Sequence, residues 1–282
     1  MSKNAPRSCP FPLPPGIFPY MKYMLLLVLS QSLFYSCTDS TDTLARIKTT
    51  GKIVVGTSAD YAPYEFHLVK NGKDTIQGFD MDIVAELAKD LGVVLEIKDL
   101  DFDELLPSLT TDKVDIVISG MTPTEERKKT VDFSDIYYIA QQVVLGRIEN
   151  SPEITSLEIL REKTIGTQLY SLQESLVKSK LPEAKLVSLV SIPDLIGELK
   201  NKNLDALVVE LPLAKEYIKA NPDLALAEVD LDSDGGGSAI AIKQGNRNLV
   251  QEINLTLDRL ISDGSIDAFV VKAKELSGTK KY

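Results

Sequence analysis

The sequence predicts an α/β protein of two lobes, on three observations: a strand–helix alternation begins after Ser40, a second begins near Thr164, and an extended segment follows each. In the first series, residues 53–55 form a short β-rich run closing at Gly56. Residues 80–91 place Ile83, Val84, Leu87, Ala88 and Leu91 on one helical face, and Gly92 stops it. A strand at 94–97, a helix at 105–109 and a strand at 114–118 complete a βαβαβ pattern, which demands a mostly parallel sheet with right-handed crossovers. The second series reads strand 164–167, helix 172–179, strand 185–189, helix 194–200, strand 206–209 and helix 213–220. Stretches 137–145 and 238–242 are the two expected crossings between lobes. Residues 248–274 carry helical periodicity through Leu249, Ile253, Leu257, Leu260 and Ile261, with a turn at Asp263-Gly264, and should pack back on the first lobe.

The chain has 282 residues, 44% hydrophobic and 26% charged, enough for two compact units. Residues 1–36 read as a leader. A Pro-rich stretch precedes the apolar run 24–29, which suits the core of a signal peptide better than a membrane span of about 20 residues. Met21-Lys22, directly before that run, reads as an alternative start. Leu33-Phe34-Tyr35-Ser36-Cys37 has the form of a lipoprotein cleavage site, so Cys37 is the expected lipidation point and residues 37–43 a tether. Cys9 is the other cysteine and lies in the leader, so the mature chain forms no internal disulfide. The leader holds Lys3, Arg7 and Lys22 and no acid. The remainder therefore carries 28 basic and 41 acidic residues, net −13. That balance opposes nucleic acid and anionic membrane surfaces and tolerates a neutral or cationic small ligand. No membrane span or further domain is expected after residue 274.

Ser119-Gly120-Met121-Thr122-Pro123-Thr124-Glu125-Glu126-Arg127 follows an apolar strand and reads as a helix start, with Thr122-x-x-Glu125 as a capping box and Pro123 at the first helical position. Arg127 one turn in would add a bidentate guanidinium to an anion seated there. A capped surface helix with a solvated Arg reads equally well from spacing alone. Ser171-x-x-Glu174 repeats the device in the second lobe, or is simply an N-cap. Glu210 ends strand 206–209 beside Leu211-Pro212, where a carboxylate meets either an ammonium group or the following helix dipole. His67 is the only histidine, so a His-based triad or zinc cluster is not supported, and no nucleophile elbow or phosphate loop appears. Gly235-Gly236-Gly237 reads as a flexible connection.

Five ordered motifs carry a family resemblance: Gly56-Thr57-x-x-x-Tyr61-x-Pro63-Tyr64-Glu65-Phe66, Gly78-Phe79-Asp80-x-Asp82, Phe102-x-x-Leu105-x-Pro107-x-Leu109, Ser119-Gly120-Met121-Thr122 with Arg127, and Asp132-Phe133-Ser134-x-x-Tyr137-Tyr138. From about Thr43 to Leu276 the chain resembles the polar-amino-acid solute-binding proteins of ABC importers, bacterial extracellular family 3. The resemblance implies a two-lobed, periplasmic-binding-protein-like (type II) flytrap with two hinge strands. Residues 44–142 and 237–282 would form lobe 1, and residues 143–236 lobe 2. It further implies an exported, non-enzymatic monomer without cofactor or metal. Such a protein closes on a free L-amino acid and hands it to a membrane permease with its ATPase, lipid-anchored here through Cys37.

Carried over position by position, Tyr61 and Phe102 resemble the aromatic walls around the ligand side chain, and Gly120 and Thr122 its backbone and hydroxyl contacts. Arg127 resembles the carboxylate clamp and Ser171 its second-lobe donor, while Gln142 matches a position that touches the side chain in some arginine binders. Three positions depart from the pattern. Ser58 stands where an acid usually reads a basic or amide side chain, with Asp60 or Glu65 as candidate replacements. Glu210 replaces an ammonium-binding Asp, and Tyr170-Ser171 replaces a Gly-Thr turn. The same scaffold also hosts periplasmic lyases and sensory domains, which are the competing classes.

Overall fold

The structure, a computed structural model, describes residues 42–231 and 236–278. The leader, Cys37 and Gly235 lie outside the described residues. The described region opens with α1 (Thr43–Thr50), a helix that the sequence pattern did not indicate. Asp42 caps it by accepting from the Ala45 N–H at 3.1 Å, and Gly51 ends it at φ +66°. Thr43 N–H donates to Asn246 Oδ1 at 2.8 Å. The tether expected to run to residue 43 has thus joined the folded body by Asp42.

β1 (Lys52–Thr57) follows, with Ile53 and Val55 fully buried. Then come β2 (Asp60–Tyr61), β3 (Glu65–Lys70) and β4 (Lys73–Gln77), an antiparallel sheet absent from the expected pattern. Gly78 turns the chain into α2 (Phe79–Leu91) at φ +138°, where a Cβ would lie 1.9 Å from the Tyr64 carbonyl oxygen. That close approach lets the Phe79 and Asp80 N–H groups donate to the Pro63 and Tyr64 carbonyls. β5 (Val94–Asp99), α3 (Leu105–Thr110), β6 (Ile116–Val117) and β7 (Val131–Phe133) complete this half, β6 being shorter than the strand expected at 114–118.

The chain then crosses to β8 (Gln142–Arg147), α4 (Leu157–Leu160), β9 (Thr164–Gln168), α5 (Leu172–Lys180), β10 (Lys185–Leu189) and α6 (Ile192–Lys200). β11 (Ala206–Glu210), α7 (Leu211–Ala220) and β12 (Leu224–Ala227) close the second half. It returns through β13 (Ala241–Lys243) to α8 (Arg247–Ser262) and α9 (Ser265–Ser277). The two last helices are separated at Asp263 and Gly264, as the periodicity predicts. Leu249, Ile253, Leu257 and Leu260 are buried on one face of α8, which packs against α1, α2 and α9.

Two five-stranded sheets result. The first has the order β5-β1-β6-β13-β7, with β1 parallel to β5 and β6, and β13 antiparallel to its neighbours. The second has the order β10-β9-β11-β8-β12, with β9 parallel to β10 and β11, and β8 antiparallel to β11 and β12. The crossing segments pair with each other: Tyr137 N–H donates to Ser238 O at 2.9 Å, and Ser238 N–H to Tyr138 O at 2.7 Å. Gln142 already belongs to the second sheet, opposite Glu210, so the first crossing ends one residue before the expected boundary at 142/143. Gly236, at φ +66°, passes so near Thr122 that a Cβ would sit 2.6 Å from its methyl group. This part of the glycine run serves a close approach rather than slack.

Gly78→Ala should therefore destabilise the protein by at least about 3 kcal/mol, since both its backbone angle and the Tyr64 carbonyl forbid a methyl group. Urea denaturation would show a much lower midpoint with an unchanged slope; a shift below about 1 kcal/mol would remove Gly78 as the pivot of this turn.

Candidate functional site

Residues leaving β6, β9 and β11, with the start of α5, line one narrow chamber of about 20 Å³ between the two sheets. Tyr61, Phe102, Gly120, Thr122, Arg127, Ser171 and Glu210, all expected from sequence, face it, together with Ser119, Gln168, Leu172 and Gln173. Two expected residues do not. Ser58 is buried beside a different, outer groove with Asp60, His67, Asp99 and Ser191. Gln142 stands one layer back: its amide donates to Glu210 Oε1 at 3.4 Å, and its oxygen accepts from Gln173 Nε2 at 2.8 Å.

The helix expected to open at Thr122 does not form. Residues 123–130 offer no apolar side chain beyond Pro123 to anchor a helical face, and β7 must begin at Val131. The chain instead makes a turn, with Thr124 N–H on Thr122 O, and then one 3₁₀ turn, Arg127–Lys129. Thr124, not Thr122, supplies the local cap, its hydroxyl accepting from Arg127 N–H at 3.3 Å. No helix dipole acts here, so any preference for an anion rests on the guanidinium itself.

Arg127 holds that guanidinium between the lobes. Nη1 donates to Thr122 O at 2.8 Å, Nη2 to Tyr170 O at 2.9 Å, and Cζ lies 5.4 Å from the centre of the Phe102 ring. Burial lowers its pKa to about 10, which leaves it cationic at neutral pH. Among the described residues no carboxylate forms an ion pair with it. Across the chamber Ser171 does cap α5: its hydroxyl accepts from Glu174 N–H at 3.1 Å and donates to Gln168 O at 2.7 Å. Glu174 reaches back to Tyr170 N–H at 2.9 Å, which completes a reciprocal cap around a Tyr170 held at φ +58°. The hydroxyl is thus committed to the backbone, and the first N–H groups of α5 are the donors left at this wall.

Glu210 closes the chamber at the junction of the lobes, 3% exposed. It accepts from the Tyr64 hydroxyl and from Gln142. Burial raises its pKa to about 7, against the lowering effect of those two donors and with a further rise from Asp80. Tyr61 and Tyr64 are pushed well above 10 by burial first and by Glu210 second, so both remain neutral. Tyr64, Ser119, Gln168 and Gln173 were missed by sequence reasoning as contributors. Tyr64 lay inside a quoted motif, and Gln168 ends a strand at the same edge as Glu210, which is the signal that marked Glu210 itself.

A second contact spans the lobes near the chamber. Asp60 Oδ2 accepts from Ile192 N–H, the first residue of α6, at 2.8 Å. This carboxylate of one lobe caps a helix of the other, so it does not replace the charge missing at Ser58. His67, the other polar feature nearby, is taken by Asp74 and Asp99 at 2.8 Å each. Among the described residues no group of His, Cys, Asp and Glu side chains is arranged to hold a metal ion.

Two α/β lobes joined by paired crossings, with a buried cleft lined by one guanidinium and one carboxylate, define a ligand-clamping protein. Residues 53–273 match the bacterial extracellular solute-binding proteins, family 3, and the chain belongs to that family. It is 37% identical over 262 residues to the arginine-binding extracellular protein ArtP of Bacillus subtilis (strain 168), covering 92% of this chain and 99% of that protein. It superposes, with TM-score 0.82 and 35% identity, on the amino acid ABC transporter substrate-binding protein AbpA of Streptococcus pneumoniae Canada MDR_19A bound to L-arginine, covering 84% of this chain and all of that one. An ancestral amino acid-binding protein described as a precursor of cyclohexadienyl dehydratase also matches, at TM-score 0.74 and 36% identity, over 82% of this chain and 99% of that one.

Asp60→Ala should shift the lobes toward an open arrangement by about 1 kcal/mol, roughly fivefold, the worth of a helix cap. Paired spin labels on the two lobes should report a longer mean distance with unchanged circular dichroism. An unaltered distance distribution would show that this cap does not contribute to closure.

Proposed function

We propose that the chain binds a free amino acid with a basic or polar side chain outside the cytoplasm and delivers it to an ABC-type permease. The observation that carries this reading is the pair of uncompensated opposite charges in one chamber: Glu210 buried without a cation, and Arg127 held without a carboxylate. A zwitterion's ammonium group and carboxylate answer both needs. Charge-assisted hydrogen bonds formed away from water are worth more than their exposed counterparts. Tyr61 and Phe102 would flank the side chain, Gly120 and Thr122 would meet the backbone of the ligand, and the first α5 N–H groups, held in place by the Ser171 cap, would complete the carboxylate seat.

A cationic side chain suits walls made of two aromatic rings. Asp80, buried behind this wall, adds negative potential on the same side. The arginine-binding relatives support the same ligand class. The reading is of a carrier rather than a catalyst, because the relatives matched over most of the chain are binding proteins and the sole histidine is engaged by Asp74 and Asp99 on the outer surface. Lipid anchoring through Cys37, handover to the permease and a monomeric state belong to the proposal.

Arg127→Ala should weaken L-arginine binding by about 3 kcal/mol or more, above a hundredfold in Kd, with the fold intact. Calorimetry that returned an unchanged affinity would refute this assignment of the carboxylate seat.

Glu210 makes the affinity pH-dependent. Its pKa in the empty folded protein lies near 7, above its ordinary value of 4.5. The stability tied to that raised pKa is full below about 4.5 and is lost as pH rises through about 7. An ammonium ligand selects the charged form and removes that loss. L-Arginine should therefore bind more tightly as pH rises from 5 to 7, by up to tenfold per unit, level off above, and release a proton on binding below 7. Titrations in buffers of different ionisation enthalpy measure that proton; none released at pH 6 would exclude Glu210 as the ammonium partner.

A further inference from the structure

Behind the chamber wall lie two carboxyl groups that the binding scheme does not use as contacts. Glu65 on β3 and Asp80 on α2 are both 0% exposed. Glu65 Oε1 accepts from the Ser119 hydroxyl. Asp80 Oδ2 accepts from Gly120 N–H at 3.0 Å and from the Tyr137 hydroxyl at 2.9 Å. The other two oxygens, Glu65 Oε2 and Asp80 Oδ1, are buried with no N–H or hydroxyl donor, and the two acids are neighbours: Asp80 N–H donates to Tyr64 O at 3.1 Å, and their other oxygens meet the successive residues Ser119 and Gly120. Two carboxyl groups bond to each other only through a proton. The remaining ionisable groups facing them are the acids Asp60 and Glu210 and the tyrosines Tyr61 and Tyr137, and among the described residues no Lys, Arg or His pairs with either.

We propose that Glu65 and Asp80 hold one proton between them and act as a positioning pair, fixing through Ser119, Gly120 and Tyr137 both the chamber wall and the first crossing between the lobes. Glu65 carries the proton and donates it to Asp80. Asp80 keeps the charge and accepts from Gly120 and Tyr137. This direction agrees with burial and the neighbouring Asp80 charge holding Glu65 well above the carboxylate range, while Asp80, also buried but bonded to donors, lies at about 6. Neither group touches the ligand. The pair sets the Ser119–Gly120 edge that the ligand meets, so the affinity part of the test rests on the binding reading above.

Glu65→Gln keeps a donor toward Asp80 and an acceptor toward Ser119, and Glu65→Ala keeps neither. L-Arginine should bind the Gln variant within about threefold of the parent and the Ala variant at least tenfold more weakly, at unchanged circular dichroism. Equal losses in both variants would overturn the role of the proton. A tenfold loss in Glu65→Gln alone does the same, which keeps the test decisive should the Ala variant not fold. Independently, ¹³C-carboxyl spectra of the empty Glu210→Gln protein at pH 7.5 should contain one glutamic acid resonance at a protonated position, absent from the Glu65→Gln/Glu210→Gln protein. All side-chain carboxyl resonances at ionised positions would overturn the shared proton. Failure of the parent to bind any amino acid would count against the binding reading, and the resonance would still decide the pair.

Discussion

The arrangement depends on one constraint: the chain passes between its two sheets through segments that pair with each other at Tyr138 and Ser238. A backbone that crosses twice at one place permits the lobes to rotate about that line while the strands within each sheet keep their register. It also sets what lies next to the line. Gln142 and Glu210 begin and end their strands opposite each other beside the first crossing, and Gly236 presses the second against Thr122. The chamber thus has one end beside the first crossing, at Glu210, and the other at Arg127, which reaches across to Tyr170.

Charge placement follows from that geometry. Glu210 sits near the pivot with its hydrogen bonds satisfied but its charge unanswered, while Arg127 spans the gap by borrowing two carbonyl oxygens, one from each lobe. Neutral carbonyls are weaker partners for a guanidinium than a carboxylate is. A carboxylate bound there, as proposed, would displace these weaker contacts, while Asp60 caps α6 from the other side. Closure and recognition draw on the same few groups.

Most of the fold was legible because its helices and strands bury faces with clean periods, as in α2 and α8, and end at Gly92 and Asp263-Gly264. The β2–β4 sheet was not recognised, although Asn71-Gly72, both at positive φ, is a hairpin turn in plain form. Its strands are short and half exposed, so their alternation is weak. The helix read at Thr122 shows the opposite error: a good cap pattern without an apolar face to bury gave only one 3₁₀ turn. At the site, Glu210 at a strand end was found and Gln168 at another was not, and of the residues one layer behind, Gln142 was named as a ligand contact rather than a support. Spacing reports which side chains reach the sheet edge, whereas the support given by Gln142, Tyr64 and Asp80 arises from packing between elements distant in sequence. Ser58 illustrates the limit, since its position after β1 is right and its side chain turns to the other side of the loop.

The unanswered charge of Glu210 has a consequence for the life of the molecule rather than for its affinity. Under the proposed function, a core that contains this carboxylate would be completed by its cargo, and the cargo's binding energy would add directly to the folding energy. The protein's resistance to unfolding, and hence to proteolysis through the unfolded state, would then rise and fall with the solute around it. On that reading, scarcity of solute would leave the carrier more open to degradation, and the standing amount of protein would become a slow record of supply.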